Sequence, residues 1–182
     1  MDRTTHLWRR LHSLDEKLTR PLTLPAERGF RQYLALGLAH SGDSFVWAAL
    51  LAAAWFFGDG QWKGRALVTF AGLILAEVVV VIVKMSIRRP RPAGDFGKIY
   101  RRTDPFSFPS GHAARATMLS LLAWLLGPAA AFFAILAWSP VMVLSRIAIG
   151  IHYVFDVVAG IALGAILTVA LVQVVQLIVS RT

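Results

Sequence analysis

Two histidines and one aspartate in the sequence could together transfer a phosphoryl group. His152 and Asp156 are four residues apart, so on a helix the carboxylate can hold one imidazole nitrogen and leave the other as a nucleophile. His112 can then serve as the general acid for the departing oxygen. These residue types predict metal-free phosphoryl transfer through a phosphohistidine.

The same part of the chain contains positively charged side chains that could bind a phosphate. Three cations lie there at the ends of apolar segments: Lys84, Arg91 and Arg146. Guanidinium groups match phosphate oxygens with paired hydrogen bonds. Ser110 and Gly111 stand where a helix should begin, and the free N–H groups and dipole of a helix N-terminus favour an anion. The sequence therefore predicts a phosphate site beside the two histidines.

Each of these features alone has a simpler interpretation. Cations at the ends of membrane spans usually anchor lipid headgroups, and a serine before a helix usually only caps it. A histidine and an aspartate four residues apart at a helix start are often a structural hydrogen bond. Phosphoryl transfer is favoured because all three segments fall on one side of the predicted bundle.

The composition indicates a membrane protein. Hydrophobic residues make up 57% of the 182 residues, charged residues make up 16%, and the mean hydropathy is +0.61. Such a chain has more apolar surface than a soluble core of this size can bury, and the absence of cysteine excludes a disulfide framework. The net charge of +9 indicates anionic headgroups or an anionic substrate. Nucleic acid is not expected as a partner, because most of this charge adjoins apolar spans.

The apolar runs predict an all-α integral membrane bundle, since a spanning helix needs about 20 apolar residues. Five spans are predicted: Phe45–Phe57, Ala66–Val83, Ala116–Leu126, Ala129–Leu144 and Val157–Val179. A sixth span forms if Gly29–His40 enters the bilayer. We expect one domain over residues 1–182, with interfacial helices in residues 1–40 and a transmembrane core in residues 45–179.

Charged residues near the N-terminus exclude a signal peptide. Apolar side chains recur there at spacings of three and four: Leu7, Trp8, Leu11, Leu14 and Leu18. This pattern predicts an amphipathic helix on the membrane surface. Packing of that helix on the rest of the protein is an equal alternative.

One long polar loop, residues 84–109, carries seven Lys and Arg residues, among them Lys98, Arg101 and Arg102. With five spans this loop shares a membrane face with the N-terminus, and the positive-inside rule assigns that face to the cytoplasm. A sixth span would reverse the assignment, and cations that bind substrate bias the same count. Both orientations therefore stay open.

The three segments resemble the signatures of the type 2 phosphatidic acid phosphatase (PAP2) superfamily of membrane lipid phosphatases. Those signatures, K-x6-R-P, P-S-G-H and S-R-x5-H-x3-D, are matched at every defining position by Lys84, Arg91-Pro92, Pro109–His112, Ser145-Arg146, His152 and Asp156. Arg89-Pro90 is a second Arg-Pro pair, but only Arg91 gives the gap of six residues. The resemblance implies a PAP2-like membrane phosphatase, which we expect in a bacterial inner membrane.

The resemblance implies a role for each matched residue. His152 would form the phosphoenzyme, Asp156 would orient it, and His112 would protonate the leaving alcohol and then activate water. The other matched residues would bind the phosphate: Lys84, Arg91, Ser110, Gly111 and Arg146. The family needs no metal, so no cofactor is expected. Three histidines outside the motifs are expected to be bystanders: His6, His12 and His40.

The expected substrate is a lipid phosphate or diphosphate. Arg115 follows His112 by three residues, as in the polyisoprenoid phosphate and diphosphate phosphatases of the superfamily, and is a candidate substrate contact. Its alternative role is an interhelical ion pair with Glu77. Phosphatidate and phosphatidylglycerophosphate rival polyprenyl (di)phosphate as substrates. A non-catalytic lipid-phosphate binder or carrier on the same scaffold is the alternative function, against which the two intact histidines argue.

Overall fold

The computed structural model describes residues 3–25, 29–93 and 104–181, with side chains from residue 9 onward. Its regular elements are the helices α1 Arg3–Thr19, α2 Phe30–His40, α3 Ser44–Phe57, α4 Gly60–Ile87, α5 Gly111–Leu126, α6 Ala129–Ala148 and α7 Val154–Val179. A short 3-10 turn at Arg20–Leu22 follows α1, and an isolated antiparallel bridge joins Pro90 to Phe106. The prediction of an all-α fold is confirmed for this part of the chain.

Several residues used in the sequence analysis lie outside the described residues. They are Lys98, Arg101 and Arg102 of the polar loop and the side chains of His6, Leu7 and Trp8.

Three of the described helices, α4, α6 and α7, are long and apolar enough to cross a membrane. Helices α2 and α3 meet at a bend of 52° and would add a fourth crossing if they form one span. Helix α5 is apolar but has only 16 residues. These helices make the chain an integral membrane protein, whereas the count of five or six spans stays a prediction.

The helix boundaries follow from local chemistry. The carboxylate of Asp59 accepts the N–H of Trp62 at 2.9 Å and so caps α4, and Gly127 with Pro128 separates α5 from α6. Helix α4 continues to Ile87, so the polar loop begins after Ile87 and not at Lys84 as predicted. No helix breaker intervenes there, and a lysine in the last turn complements the helix dipole.

Helix α5 lies at the centre of the bundle, against α4, α6 and α7. Its approach to α7 is close because α7 carries Gly160 and Gly164 on the facing side. A Cβ atom at Gly164 would overlap the carbonyl oxygen of Ala114, and one at Gly160 would overlap that of Ser110. Small residues four apart are the usual means by which membrane helices bring their backbones together.

This packing predicts that Gly164→Ala lowers the melting temperature of the detergent-solubilised protein. The added methyl must push α7 from α5, and overpacking of this kind costs about 1–3 kcal/mol. Gly64→Ala is the matched control, because a Cβ at Gly64 in α4 meets nothing within 4 Å. Equal melting temperatures for the two variants would contradict the proposed close contact.

Candidate active site

Three separate stretches of the chain meet at one end of the bundle. The N–H of Ser110, at the start of α5, donates to the carbonyl of Asp156 on α7 at 2.9 Å. The guanidinium of Arg91, beyond the end of α4, donates to the carbonyl of Ile151 at 2.9 Å, and its Nη1 lies 3.4 Å from Nε2 of His152. The structure thus brings together the three segments that the sequence singled out.

His152 and Asp156 form a buried pair at the start of α7. Nδ1 of His152 lies 3.5 Å from Oδ2 of Asp156, and the same oxygen accepts the N–H of Tyr153 at 2.9 Å. Asp156 is the third residue of the helix and so reaches back to the cap position, as in a capping box. The local helix start therefore fixes the carboxylate that faces His152.

The surroundings of His152 hold its ring neutral. Burial lowers the pKa of His152 to about 4; the contact with Asp156 opposes this shift, and the charges of Arg91 and Arg146 add to it. A neutral imidazole with Nδ1 directed at a carboxylate keeps its lone pair on Nε2. That nitrogen is the one beside Arg91, where an anion would be held.

The candidate phosphate-binding cations Lys84 and Arg91 are joined by one carboxylate. Asp104 accepts from Lys84 and, at 2.8 Å, from Nη2 of Arg91, and its backbone carbonyl accepts from Nε of Arg91 at 2.7 Å. Asp104 belongs to none of the three motifs and precedes P-S-G-H in a polar segment, so no sequence pattern predicted its role. An anionic carboxylate between the two cations marks a place where phosphate oxygens could bind.

Arg146 is buried on α6 and donates to the carbonyl of Ala39 at 3.4 Å. Ser110 is the N-cap of α5, and its hydroxyl accepts the N–H of Ala113 at 3.4 Å. Gly111 begins α5 itself, so the first N–H groups of that helix are at this end of the bundle. Ser110, Gly111 and Arg146 therefore lie at the same end of the bundle as His152, since Ser110 donates to Asp156 and the charge of Arg146 acts on His152.

His112 is held at both ring nitrogens. Its Nε2 lies 2.9 Å from Oδ1 of Asp43, and its Nδ1 lies 3.2 Å from Nη2 of Arg115. Arginine can only donate, so Nδ1 accepts and Nε2 carries the hydrogen that is donated to Asp43. Asp43 occupies the N-cap position of α3, but its side chain makes no cap bond. Its other oxygen contacts His40 at 2.8 Å, and the expectation that His40 is a bystander stays a prediction.

Arg115 forms an interhelical ion pair with Glu77. It also donates to the carbonyl of Gly42 at 3.3 Å. The first contact is the alternative weighed in the sequence analysis, and it ties α5 to α4 beside His112. The role of Arg115 as a substrate contact stays a prediction.

Arg89 was set aside in the sequence analysis, but its guanidinium lies within the site. Nη1 of Arg89 donates to Oδ1 of Asp156 at 2.7 Å, and Nη2 lies 2.7 Å from Oδ2 of Asp15 on α1. Nη2 also lies 3.3 Å from Nδ1 of His12. The motif spacing favours Arg91 and carries no information about Arg89. Within the described residues no group of three His, Asp or Glu side chains is arranged to hold a metal ion.

Residues 65–179, more than half of the chain, match the PAP2 superfamily. The chain belongs to this superfamily. The decaprenylphosphoryl-5-phosphoribose phosphatase of Mycobacterium tuberculosis (strain H37Rv) is 36% identical to this PAP2 protein over 134 residues, covering 72% of this chain and 73% of the relative. Phosphatidylglycerophosphatase B of Bacillus subtilis (strain 168) is 28% identical over 170 residues, covering 86% and 81%.

Solved structures share the fold. A transmembrane PAP2-type phosphatidylglycerolphosphate phosphatase from Bacillus subtilis has a TM-score of 0.72 at 21% identity, covering 92% of this chain and 87% of that one. Aquifex aeolicus LpxE has a TM-score of 0.67 at 21% identity, covering 88% and 93%. Family membership and the named phosphatase relatives identify this PAP2 protein as a lipid phosphatase, a phosphoric monoester hydrolase of the membrane.

The lowered pKa of His152 predicts that its ring stays neutral from pH 6.5 down to about pH 4. NMR of protein labelled with carbon-13 at histidine Cε1 tests this directly, with the resonance assigned through His152→Asn. We expect a titration midpoint near 4. A midpoint near the ordinary histidine value of about 6.5 would contradict it. Since a folded-state pKa below the unfolded value weakens folding in acid, the stability should also decline as the pH falls through this window.

Proposed function

We propose that this PAP2 protein removes a terminal phosphate from a polyprenyl-linked lipid in a bacterial inner membrane. The observation that carries the proposal is the buried His152, with Nδ1 facing Asp156 and Nε2 facing Arg91. The polyprenyl class is supported by the relative, 36% identical, that is named for decaprenylphosphoryl-5-phosphoribose. Phosphatidylglycerophosphate is the second candidate substrate, supported by the relative that matches 86% of this chain.

In the first step, the lone pair of His152 Nε2 attacks phosphorus and the bond from phosphorus to the lipid oxygen breaks. Asp156 stabilises the imidazolium that develops as Nε2 forms its bond to phosphorus. The phosphate oxygens are bound by the remaining matched residues: Lys84, Arg91, Ser110, Gly111 and Arg146. Those oxygens replace the carboxylate of Asp104 between its two cations, so the charge balance is kept when substrate binds.

His112 serves both halves of the reaction. It takes up a proton when the anionic substrate binds, gives that proton to the departing lipid oxygen, and then takes a proton from the water that attacks the phosphohistidine. The second attack breaks the phosphorus–nitrogen bond, releases phosphate and restores neutral His152. Asp43 offsets part of the cost of charging this buried ring, because a carboxylate beside an imidazole favours its protonated form. No step requires a metal ion.

A non-catalytic carrier is the less favoured alternative. Binding a phosphate requires cations, but it requires neither a neutral buried imidazole beside a carboxylate nor a second histidine held between Asp43 and Arg115. Both features are costly in an apolar bundle, because buried polar groups must be desolvated and paired. Their presence together supports turnover.

We propose that the first isoprene units of the lipid tail lie between helices, while the rest of the tail extends into the surrounding membrane. An apolar cavity of about 180 Å³ runs between α3, α4, α5 and α6. Trp47 lines it one turn from Asp43, and Arg65, Ala54 and Gly127 line it toward the opposite end of the bundle. A chain in this cavity would have its phosphate at the end of the bundle that holds His112.

We propose that the protein forms one domain with five spans, α3 to α7, and α1 on the membrane surface. Helix α5 rises about 24 Å over its 16 residues, so its N-terminus lies near the membrane boundary. The exposed apolar side chains of α1 support a membrane-facing position: Leu11 at 40%, Leu14 at 47% and Leu18 at 44%. The basic residues on the active-site side favour a cytoplasmic orientation.

Phosphate release by the purified protein in detergent with excess EDTA tests the function. The substrates are decaprenyl phosphate, decaprenyl diphosphate, phosphatidate and phosphatidylglycerophosphate. We expect EDTA-resistant release, fastest from a polyprenyl substrate, that His152→Ala lowers at least about 10⁴-fold because the nucleophile is lost. No release from any of the four would favour the carrier. Fastest release from phosphatidylglycerophosphate would replace the proposed substrate class by the second candidate.

Filling the cavity should lower kcat/KM for long lipids and leave it unchanged for short ones. Ala54→Trp places an indole in the cavity, whereas Ala53→Trp places the same group on the exposed side of α3. We expect Ala54→Trp to lower kcat/KM for a decaprenyl phosphate at least about tenfold, the loss of about 1.4 kcal/mol of binding. A phosphorylated alcohol with one isoprene unit should be unaffected. Equal losses for both substrates would contradict a tail in this cavity.

A further inference from the structure

Arg89 contacts two buried carboxylates at once. Its guanidinium bridges Asp156 on α7 and Asp15 on α1, each at 2.7 Å, and it stacks on the ring of Tyr153 at 4.1 Å from the ring centroid. Both aspartates have no exposed surface. Two carboxylates this close to one another stay ionised in an apolar site only with a cation between them.

The contact with Arg89 determines which oxygen of Asp156 faces His152. Arg89 occupies Oδ1, while Oδ2 accepts the N–H of Tyr153 at 2.9 Å and lies 3.5 Å from Nδ1 of His152. With both oxygens engaged, the carboxylate cannot rotate about its last bond. The orientation of the imidazole, and hence of its Nε2, depends on that fixed oxygen.

Helix α1 holds the backbone of the same region. Oδ1 of Asp15 accepts the N–H of Phe155 at 3.0 Å, and the hydroxyl of Thr19 accepts the N–H of Val154 at 3.1 Å. These are the first N–H groups of α7, which have no partner within that helix. Two side chains of α1, four residues apart on one helix face, thus cap the helix that carries Asp156.

Arg89 and Arg91 flank Pro90, and side chains two residues apart in an extended segment point to the same side, so both can reach the pair of His152 and Asp156. Arg91 is directed at Ile151 and at Nε2 of His152, and Arg89 is directed at Asp156. The two arginines therefore reach the pair from opposite ends. Arg91 faces the nitrogen that would attack phosphorus, and Arg89 faces the carboxylate behind it.

We propose that Arg89, anchored by Asp15 of α1, is a positioning residue that acts on the reaction through Asp156. The inference rests on the proposed roles of His152 and Asp156. It assigns α1 a part in the chemistry, because the aspartate that anchors Arg89 also caps the helix bearing Asp156. In this proposal Arg89 does not bind the phosphate.

A double-substitution cycle tests the inference with decaprenyl phosphate as substrate. In the wild-type background, Arg89→Gln should lower kcat by about 10- to 100-fold, the usual effect of losing a group that orients an active-site residue. KM should stay within about twofold, because phosphate contacts are intact. In the Asp156→Asn background, Arg89→Gln should lower kcat by less than about twofold, since its target is already lost. Equal losses in both backgrounds, or a rise in KM without a fall in kcat, would overturn the inference.

Further variants separate positioning from a general loss of structure. Arg89→Lys keeps the charge but cannot bridge both carboxylates in one plane, so it should recover only part of kcat. Asp15→Asn should also lower kcat. Arg88→Gln removes an exposed neighbouring cation and should leave kcat unchanged. Full activity of both Arg89→Lys and Asp15→Asn would contradict the proposal that the bridge from Asp15 through Arg89 to Asp156 positions the site.

The carbon-13 resonance of His152 gives a readout that does not depend on turnover. If Arg89 positions Asp156, Arg89→Gln shifts this resonance and Arg88→Gln does not. A wild-type protein that releases no phosphate would refute the proposed function while this comparison still tests the positioning. An unchanged His152 resonance in a folded Arg89→Gln protein would refute the positioning alone.

Discussion

Burial of charge in an apolar bundle is the constraint on which the rest of this structure depends. An ionised side chain removed from water costs several kcal/mol unless it is paired. The ionised groups at the active-site end accordingly alternate in sign, as in the series Asp15, Arg89, Asp156. A second series runs from the anion Glu77 through the cation Arg115 to the anion Asp43, with the uncharged ring of His112 between the last two. Since the members come from different helices, pairing the charges also fixes the helix ends.

The same constraint supports the proposal that an anion binds at this site. Lys84 and Arg91 share the single carboxylate of Asp104, and Arg146 adds its positive charge near His152. A phosphate that displaces Asp104 brings more negative charge and more acceptor oxygens to the same cations. Electrostatic stabilisation of this kind is strong because the surrounding helices exclude water. The chemistry and the folding of this end of the bundle therefore depend on the same charged groups.

Sequence patterns predicted the helices and the motif residues, but they missed contacts between residues that are far apart in the chain. Apolar runs predict the helices, and the motif spacing singles out Arg91, His112, His152 and Asp156. Both kinds of pattern involve residues that are close together in the sequence. The partners of those residues follow no such pattern: Arg89 lies 67 residues from Asp156, and Asp43 lies 69 residues from His112. Asp43 stands at the N-cap of α3, a position that by itself indicates only a helix start, and Arg89 lies in a second Arg-Pro pair that does not fit the motif spacing. The polar residues of α1, spaced four apart, were the available signal for Asp15.

The precision of the site depends on residues outside the motifs. Ser110 is fixed from two sides by α7, since its N–H donates to the carbonyl of Asp156 and its own carbonyl lies against Gly160. Any side chain at Gly160 would displace the start of α5 relative to Asp156. Displacements of about 1 Å are enough to lose orders of magnitude in rate. A glycine one turn below the active site thus sets the distance between the helix N-terminus that would bind phosphate and the pair that would attack it.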